Sequence, residues 1–291
     1  MSNYLDVITW WQNQSFKSIS DYSTVLENFE VVFATNSENI EGSELNYHTT
    51  RAVFEDKNLS SYTGPLNSLF AVRNQKFAFD VMLRGLLAGL DINLEFIKRL
   101  HKVLLSGCYD QERWDKGERP GKFKVGDYCV GTDSVGSFPE EVEDDLQDLL
   151  DELYDCDSDD ILTKAAYFHA CFETIHPFAD GNGRVGRMLL NYYLMRNNYP
   201  PIIIYDEDKE TYYMALEVYN KTEELSGMIL FFQEQMVKTW SRYLGGATPD
   251  KVTWCVDNAP EALRDLPKDE IVSLMESAYE RMLVELNKRK V

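Results

Sequence analysis

The sequence predicts a mainly α-helical domain with one small β-hairpin. Apolar residues recur at helical spacing in most long segments: Val25, Phe29, Val32 and Phe33; Leu69, Val72 and Phe77; Phe96, Leu100 and Leu104; and Ile271, Leu274, Met275 and Tyr279. One stretch reads instead as strand and turn, KFKVGDYCVGTDSVGSF at 122–138, where Phe123, Val125, Tyr128 and Val130 are interrupted by glycines and aspartates. Hydrophobic residues at 44% and charged residues at 27% of the 291 positions match an ordinary globular chain.

Taken in order, the opening MSNYLDVITWW reads as a helix. With no basic start and Asp6 inside its apolar stretch, it is not expected to be a secretory signal. After the hairpin, Pro139 is expected to open an acidic helix with Val142, Leu146, Leu149, Leu150 and Leu153 on its buried face and a solvated acidic face opposite. Asp160 is placed to cap the next helix, whose core stripe is Leu162, Ala165, Ala166, His169 and Phe172. That helix must stop near His176, because Pro177 disfavours helical backbone in the residue before it. A further helical run, Val185, Met188, Leu189 and Tyr192, continues to the NNYPP breaker at 197–201. GGATPD at 245–250 is the domain-edge punctuation. The expected organisation is an N-terminal helical region at 1–65, a core at 66–245 and a helical tail at 246–291.

Acidic residues outnumber basic ones 49 to 29, for a net charge of −20, which repels phosphate backbones and anionic lipid and so excludes nucleic acid as a partner. No apolar run reaches the length that spans a bilayer, so no membrane association is expected. Five scattered cysteines without a CxxC pair read as reduced thiols in a cytoplasmic protein.

The chemistry is concentrated in HPFADGNGRVGR at 176–187. A helix beginning in this stretch offers unpaired N–H groups and a positive dipole end, and Gly181 and Gly183 let that backbone approach an anion closely. Asn182 is expected to add a side-chain amide donor. Arg184 and Arg187, three apart on one helix face, suit a polyphosphate. Asp180 is placed to hold Mg²⁺ against phosphate oxygens. His176 is placed to take a proton from an attacking hydroxyl, and Phe178 to anchor the loop. The pattern predicts phosphoryl-type transfer governed by positioning and charge stabilisation.

HPFADGNGRVGR resembles the Fic (filamentation induced by cAMP) signature HxFx(D/E)GNGRxxR at every defined position, with similarity extending over about residues 30–240. The resemblance implies a Fic-type helical bundle with a small β-hairpin flap. It also implies a protein adenylyltransferase that moves AMP from ATP to a Ser, Thr or Tyr hydroxyl of a protein. His176 is then the general base, Asp180 the Mg²⁺ ligand, Gly181, Asn182 and Gly183 the anion cradle, and Arg184 and Arg187 hold the outer phosphates. The hairpin resembles the family's flap, with Val130, Gly131 and Thr132 docking the target as an added strand; Lys124 stands where the family often has Arg. YYMALEVYN resembles the adenine-lining stretch, so Tyr212 or Tyr213 is expected at the base and Asn220 as its hydrogen-bond partner, against core packing as the alternative for the tyrosines.

Upstream, SENIEG at 37–42 fits the family's inhibitory pattern (S/T)xxxE(G/N) with Ser37 and Glu41, in the class that carries it before the core. The resemblance implies that Glu41 pairs with Arg187 and removes the arginine meant for the γ-phosphate. Alternatives are removal of AMP from a modified protein at the same site, and a non-catalytic nucleotide-binding regulator; Gly183, where γ-phosphate-transferring relatives have Lys, argues against a kinase. Expected partners are ATP and a target protein, the chain itself included; homodimerisation is left open.

Overall fold

The computed structural model describes residues 3–56, 62, 64–130, 133–134, 136–155, 160–244, 252, 255–256, 259–260, 263–264 and 266–288. Among them the chain is helical nearly throughout: α1 (Tyr4–Gln12), α2 (Ile19–Ile40), α3 (Tyr47–Phe54), α4 (Leu66–Leu87), α5 (Leu94–Leu104), α6 (Gln111–Asp115), α7 (Val142–Asp155), α8 (Ile161–Ile175), α9 (Asn182–Arg196), α10 (Lys209–Thr222), α11 (Ser226–Trp240) and a C-terminal helix, Lys268–Lys288. Polar caps start several of them. Asn3 with Asp6 and Ser18 with Asp21 form capping boxes on α1 and α2, and Asp160 accepts from the N–H groups of Leu162 and Thr163 on α8.

The centre of the fold is α8 packed on α9, with Ala165, Ala166 and Phe172 of α8 and Val185, Met188, Leu189 and Tyr192 of α9 fully buried. α4 packs against α2, α5 and α9, α7 against α8, and α10 and α11 against α8. The stripe expected on α7 faces inward as read, although the helix begins at Val142, three residues after Pro139. α9 ends at Arg196, and Asn191 pins the chain after the breaker by accepting from Ile202 N–H at 2.7 Å and donating to its carbonyl at 2.9 Å.

α1 and α2 share one continuous apolar core with the later helices, so the expected 1–65 and 66–245 regions do not have separate interiors. Trp11 of α1 and Phe29 of α2 both pack on Trp240 of α11, with ring centroids 5.5 Å apart in each case. Cys255, Ala259, Ile271, Met275 and Tyr279 form a second small cluster; the 245–250 punctuation lies outside the described residues. No helix among the described residues is long and apolar enough to cross a membrane.

Two expected core positions are exposed, Phe77 at 46% and Leu274 at 60%. Phe77 instead lies beside Arg73, whose guanidinium sits 5.8 Å from its ring centroid, and cation–π contact replaces burial. Within 122–138, strand is limited to Cys129–Val130 and Asp133–Ser134, paired antiparallel with Cys129 opposite Ser134. Before it, Glu118 organises the chain in place of a ladder: its carboxylate accepts from Val125 N–H, Gly126 N–H and the Tyr128 hydroxyl. Gly131 and Thr132 lie outside the described residues.

Candidate active site

The 176–187 stretch forms the junction between α8 and α9. His176 terminates α8 with φ 51° and ψ 60°, and its N–H donates to the Phe172 carbonyl at 3.1 Å. Blocked from right-handed helix by Pro177, the histidine takes left-handed backbone, a conformation that costs a non-glycine residue on the order of 1 kcal/mol. Gly181 then caps α9 at φ 85°, where a Cβ would lie 2.4 Å from Leu105 Cδ2. Phe178 is fully buried and stacks on His101 at 3.7 Å between ring centroids, as its expected anchoring role requires.

Two polar clamps hold this loop, and the first is made by the Asn182 side chain. Its amide closes a ring with Phe178, accepting from the Phe178 N–H at 2.8 Å and donating to the Phe178 carbonyl at 2.7 Å. The expected anion donor is therefore engaged by the loop itself, because the backbone groups of the fully buried Phe178 must be satisfied within the fold. The second clamp is His101 of α5. Its Nδ1 accepts from Gly121 N–H at 2.7 Å, which leaves the proton on Nε2 to donate to the Asp180 carbonyl at 3.0 Å. Burial pushes the His101 pKa down to about 3, so the ring stays neutral and keeps this tautomer.

Both arginines are buried and both are engaged by carboxylates. Arg187 is held by the end of α2: Nε donates to Ser37 Oγ at 3.1 Å, and Nη2 donates to the Ser37 carbonyl at 3.0 Å and to Glu41 Oε1 at 2.6 Å. Burial works to raise the Glu41 pKa, but the Arg187 charge and hydrogen bond outweigh it and hold the carboxyl below its ordinary value. Gly183 makes room for this pair, since a Cβ there would lie 2.5 Å from Glu41 Oε1 and 2.8 Å from Arg187 Nη1. Arg184 donates through Nη2 to Asp180 Oδ1 at 2.9 Å, while its Nη1 lies 3.8 Å from Glu38 Oε2.

Asp180 is 30% exposed and also lies 3.5 Å from Arg113 Nη2. No group of three His, Cys, Asp or Glu that could hold a metal ion is present among the described residues. A single half-open carboxylate beside an anion site fits an ion that arrives with the phosphates of a nucleotide. The His176 imidazole is shifted below its ordinary pKa, by burial first and by the nearby Lys124 charge second. It is therefore neutral at pH 7 and able to accept a proton.

The two candidate adenine tyrosines separate. Tyr212 is 1% exposed, with its hydroxyl 2.8 Å from His169 Nε2, so core packing accounts for it. Tyr213 is 47% exposed. Asn220 is exposed and accepts from the Thr174 hydroxyl at 2.6 Å, on a groove of about 320 Å³ that Ile175, next to His176, also lines. Val130 is the second residue of the strand Cys129–Val130.

Several residues of the site carry no motif of their own. Glu173, one turn before His176, is half-buried over Gly186, and desolvation pushes its carboxyl up to about 7, with the Arg187 charge opposing and Glu41 reinforcing. Glu38 is buried in the last turn of α2, and Gln75 of α4 donates to it at 3.0 Å. Their sequence signal is a bare acid at helical spacing from a recognised position, Glu38 three before Glu41 and Glu173 three before His176.

The family model of the Fic/DOC family matches residues 91–194, which run from just before α5 to the last turn of α9. The chain is 30% identical over 214 residues to protein adenylyltransferase fic-1 of Caenorhabditis elegans, covering 71% of this chain and 39% of that protein. It is 28% identical over 227 residues to protein adenylyltransferase Fic of Nematostella vectensis, covering 76% of this chain and 49% of that one. The chain thus spans less than half the length of these relatives. A crystal structure of a Fic-domain-containing signalling protein from Bacteroides thetaiotaomicron superposes with a TM-score of 0.71 at 22% identity, over 84% of this chain and 96% of that one. A structure of Fic-1 from C. elegans gives 0.65 at 25% identity, over 83% and 70%. The mainly helical architecture, the helix–loop–helix at its centre and the family match agree: residues 91–194 of this chain are a Fic domain of the Fic/DOC family.

Proposed function

We propose that the chain is a protein adenylyltransferase, held inactive in this conformation by Glu41. The observation that carries the reading is the grouping of a neutral His176, the half-open Asp180 and the buried pair Arg184 and Arg187 on one loop and the first two turns of α9. In the reaction, a Ser, Thr or Tyr hydroxyl of a target protein attacks the α-phosphorus of ATP. Its proton passes to His176, the bond from the α-phosphorus to the bridging oxygen breaks, and pyrophosphate leaves. Backbone N–H groups at the start of α9, around Gly181 and Gly183, bind phosphate oxygens, and Arg184 and Arg187 neutralise the outer phosphates. Asp180 would hold Mg²⁺, which supplies charge neutralisation on the phosphates when bound. The hairpin around Val130, Gly131 and Thr132 serves as the flap on which the target docks, with Tyr213 and Asn220 beside the base.

Glu41 and a γ-phosphate compete for one guanidinium, so withdrawal of the Glu41 side chain is the activating step. The test is transfer of α-labelled AMP to protein in lysate. Glu41→Gly raises labelling strongly and His176→Ala in that background abolishes it; equal labelling by Glu41→Gly and wild type would remove the autoinhibition from the reading. A second direction, release of AMP from a modified protein, is favoured by the position of the Glu41 carboxylate, 30% exposed and close enough to act electrostatically on His176. Incubating AMP-modified target with wild type and with Glu41→Gly separates the directions, since only release requires Glu41.

A further inference from the structure

We propose that Glu38 is a second carboxylate opposed to the nucleotide's phosphates, a fixed one that sets how tightly Arg184 holds them after Glu41 has withdrawn. The proposal rests on the adenylyltransferase reading of this site. Glu38 and Glu41 lie three apart on α2 and face the two arginines one to one: Glu38 Oε2 is 3.8 Å from Arg184 Nη1, and Glu41 Oε1 is 2.6 Å from Arg187 Nη2.

The two acids differ in their freedom to leave. The Glu41 side chain is 30% exposed at the cap of α2, and the next residue, Gly42, already has left-handed backbone at φ 91°. The Glu38 side chain is 3% exposed inside the last turn. Its carboxylate accepts from Gln75 Nε2 at 3.0 Å, Gln75 itself is fully buried in α4, and the Glu38 carbonyl accepts from Ser43 N–H at 3.1 Å. Rotating Glu41 outward therefore takes its carboxylate away from Arg187, which Ser37 continues to hold, and leaves Glu38 where it is.

What remains still sets carboxyl groups against the arginines, with burial pushing those of Glu38 and Glu173 up, the Arg184 charge opposing this at Glu38, and Arg113 facing Asp180 from another side. Arg184 still faces Asp180 and Glu38, and Arg187 still has Glu173 beside it. A phosphate reaching Arg184 meets a guanidinium whose charge is partly offset by Glu38, and in this water-poor interior the repulsion between phosphate and carboxylate is weakly screened. Removing that charge while keeping the side chain's shape should tighten binding of the outer phosphates and leave the base and α-phosphate untouched.

The experiment is calorimetric binding of ATP and of AMP, each with Mg²⁺, to Glu41→Gly/His176→Ala protein, which cannot turn over, with and without Glu38→Gln. ATP is expected to bind on the order of tenfold tighter in the Glu38→Gln protein, with AMP affinity unchanged. Glu38→Met, which fills similar volume without a charge, should give the same result if the amide disturbs Gln75. Unchanged or weakened ATP binding overturns the proposal. So does equal tightening of ATP and AMP, or loss of folding in both variants, either of which makes Glu38 a structural group. Failure of the Glu41→Gly/His176→Ala parent to bind ATP at all would instead sink the functional reading, and this inference with it.

Discussion

Replacing Asn182 with alanine tests whether its amide serves the loop or a nucleotide. The residue is 2% exposed, and its amide satisfies both the N–H and the carbonyl of Phe178, itself fully buried. Alanine leaves both groups without that partner, at about 1–3 kcal/mol each, so the expected loss of stability is about 4 kcal/mol. That is a large share of the roughly 5–15 kcal/mol by which a domain is stable. Asn182→Asp keeps the acceptor for Phe178 N–H but sets a charged oxygen against the Phe178 carbonyl, and should cost at least half as much. Urea denaturation of the Glu41→Gly protein with each substitution gives the stability change, and single-turnover AMP transfer gives the functional one. The loop carries His176, so transfer should fall with stability while ATP affinity in the surviving folded protein changes little. A stability change under about 0.5 kcal/mol, with ATP affinity reduced tenfold or more, would show that the amide binds the nucleotide and refute the assignment.

Two further outcomes are expected. Tyr212→Phe removes a buried hydroxyl 2.8 Å from His169 and should cost about 1–2 kcal/mol in a denaturation experiment without altering the KM for ATP; a raised KM would return Tyr212 to the adenine site. Transfer by Glu41→Gly should sit on a plateau at pH 7 and fall on the acid side. Burial and Lys124 hold the His176 pKa below the ordinary 6.5, and the proton acceptor is lost only as pH drops through that lowered value; an acid-limb midpoint at or above 7 would exclude His176 as the base.

Much of the centre of this fold was legible in the sequence because its signals are local. Asp160 caps α8, Pro177 ends it, and the stripes on α7, α8 and α9 fall on consecutive helical turns; each is a relation between residues a few positions apart. Glu41 was legible for a different reason: its motif was paired with Arg187 through family resemblance, across 146 positions that no periodicity spans. The remainder of the site was hidden because it is assembled between helices. His101 and Gln75 are single polar residues on otherwise ordinary helices, and only packing of α5 and α4 against α9 and α2 gives them partners. The engagement of the Asn182 amide by Phe178 was not legible, because the motif marks the residue and not the direction of its amide. The hairpin was overextended because apolar and glycine residues alternate there, while the backbone hydrogen bonds go to Glu118.

Two further contacts tie the 122–138 segment to the loop that carries His176. Ser137 N–H donates to the Ile175 carbonyl at 2.9 Å, and Lys124 N–H to the Pro177 carbonyl at 2.9 Å, so both ends of the hairpin segment are fastened to the residues flanking His176. The segment proposed to receive a target and the histidine proposed to deprotonate it then share one mechanical mount. A target that pulls on the hairpin shifts its own hydroxyl and the imidazole together, preserving their separation.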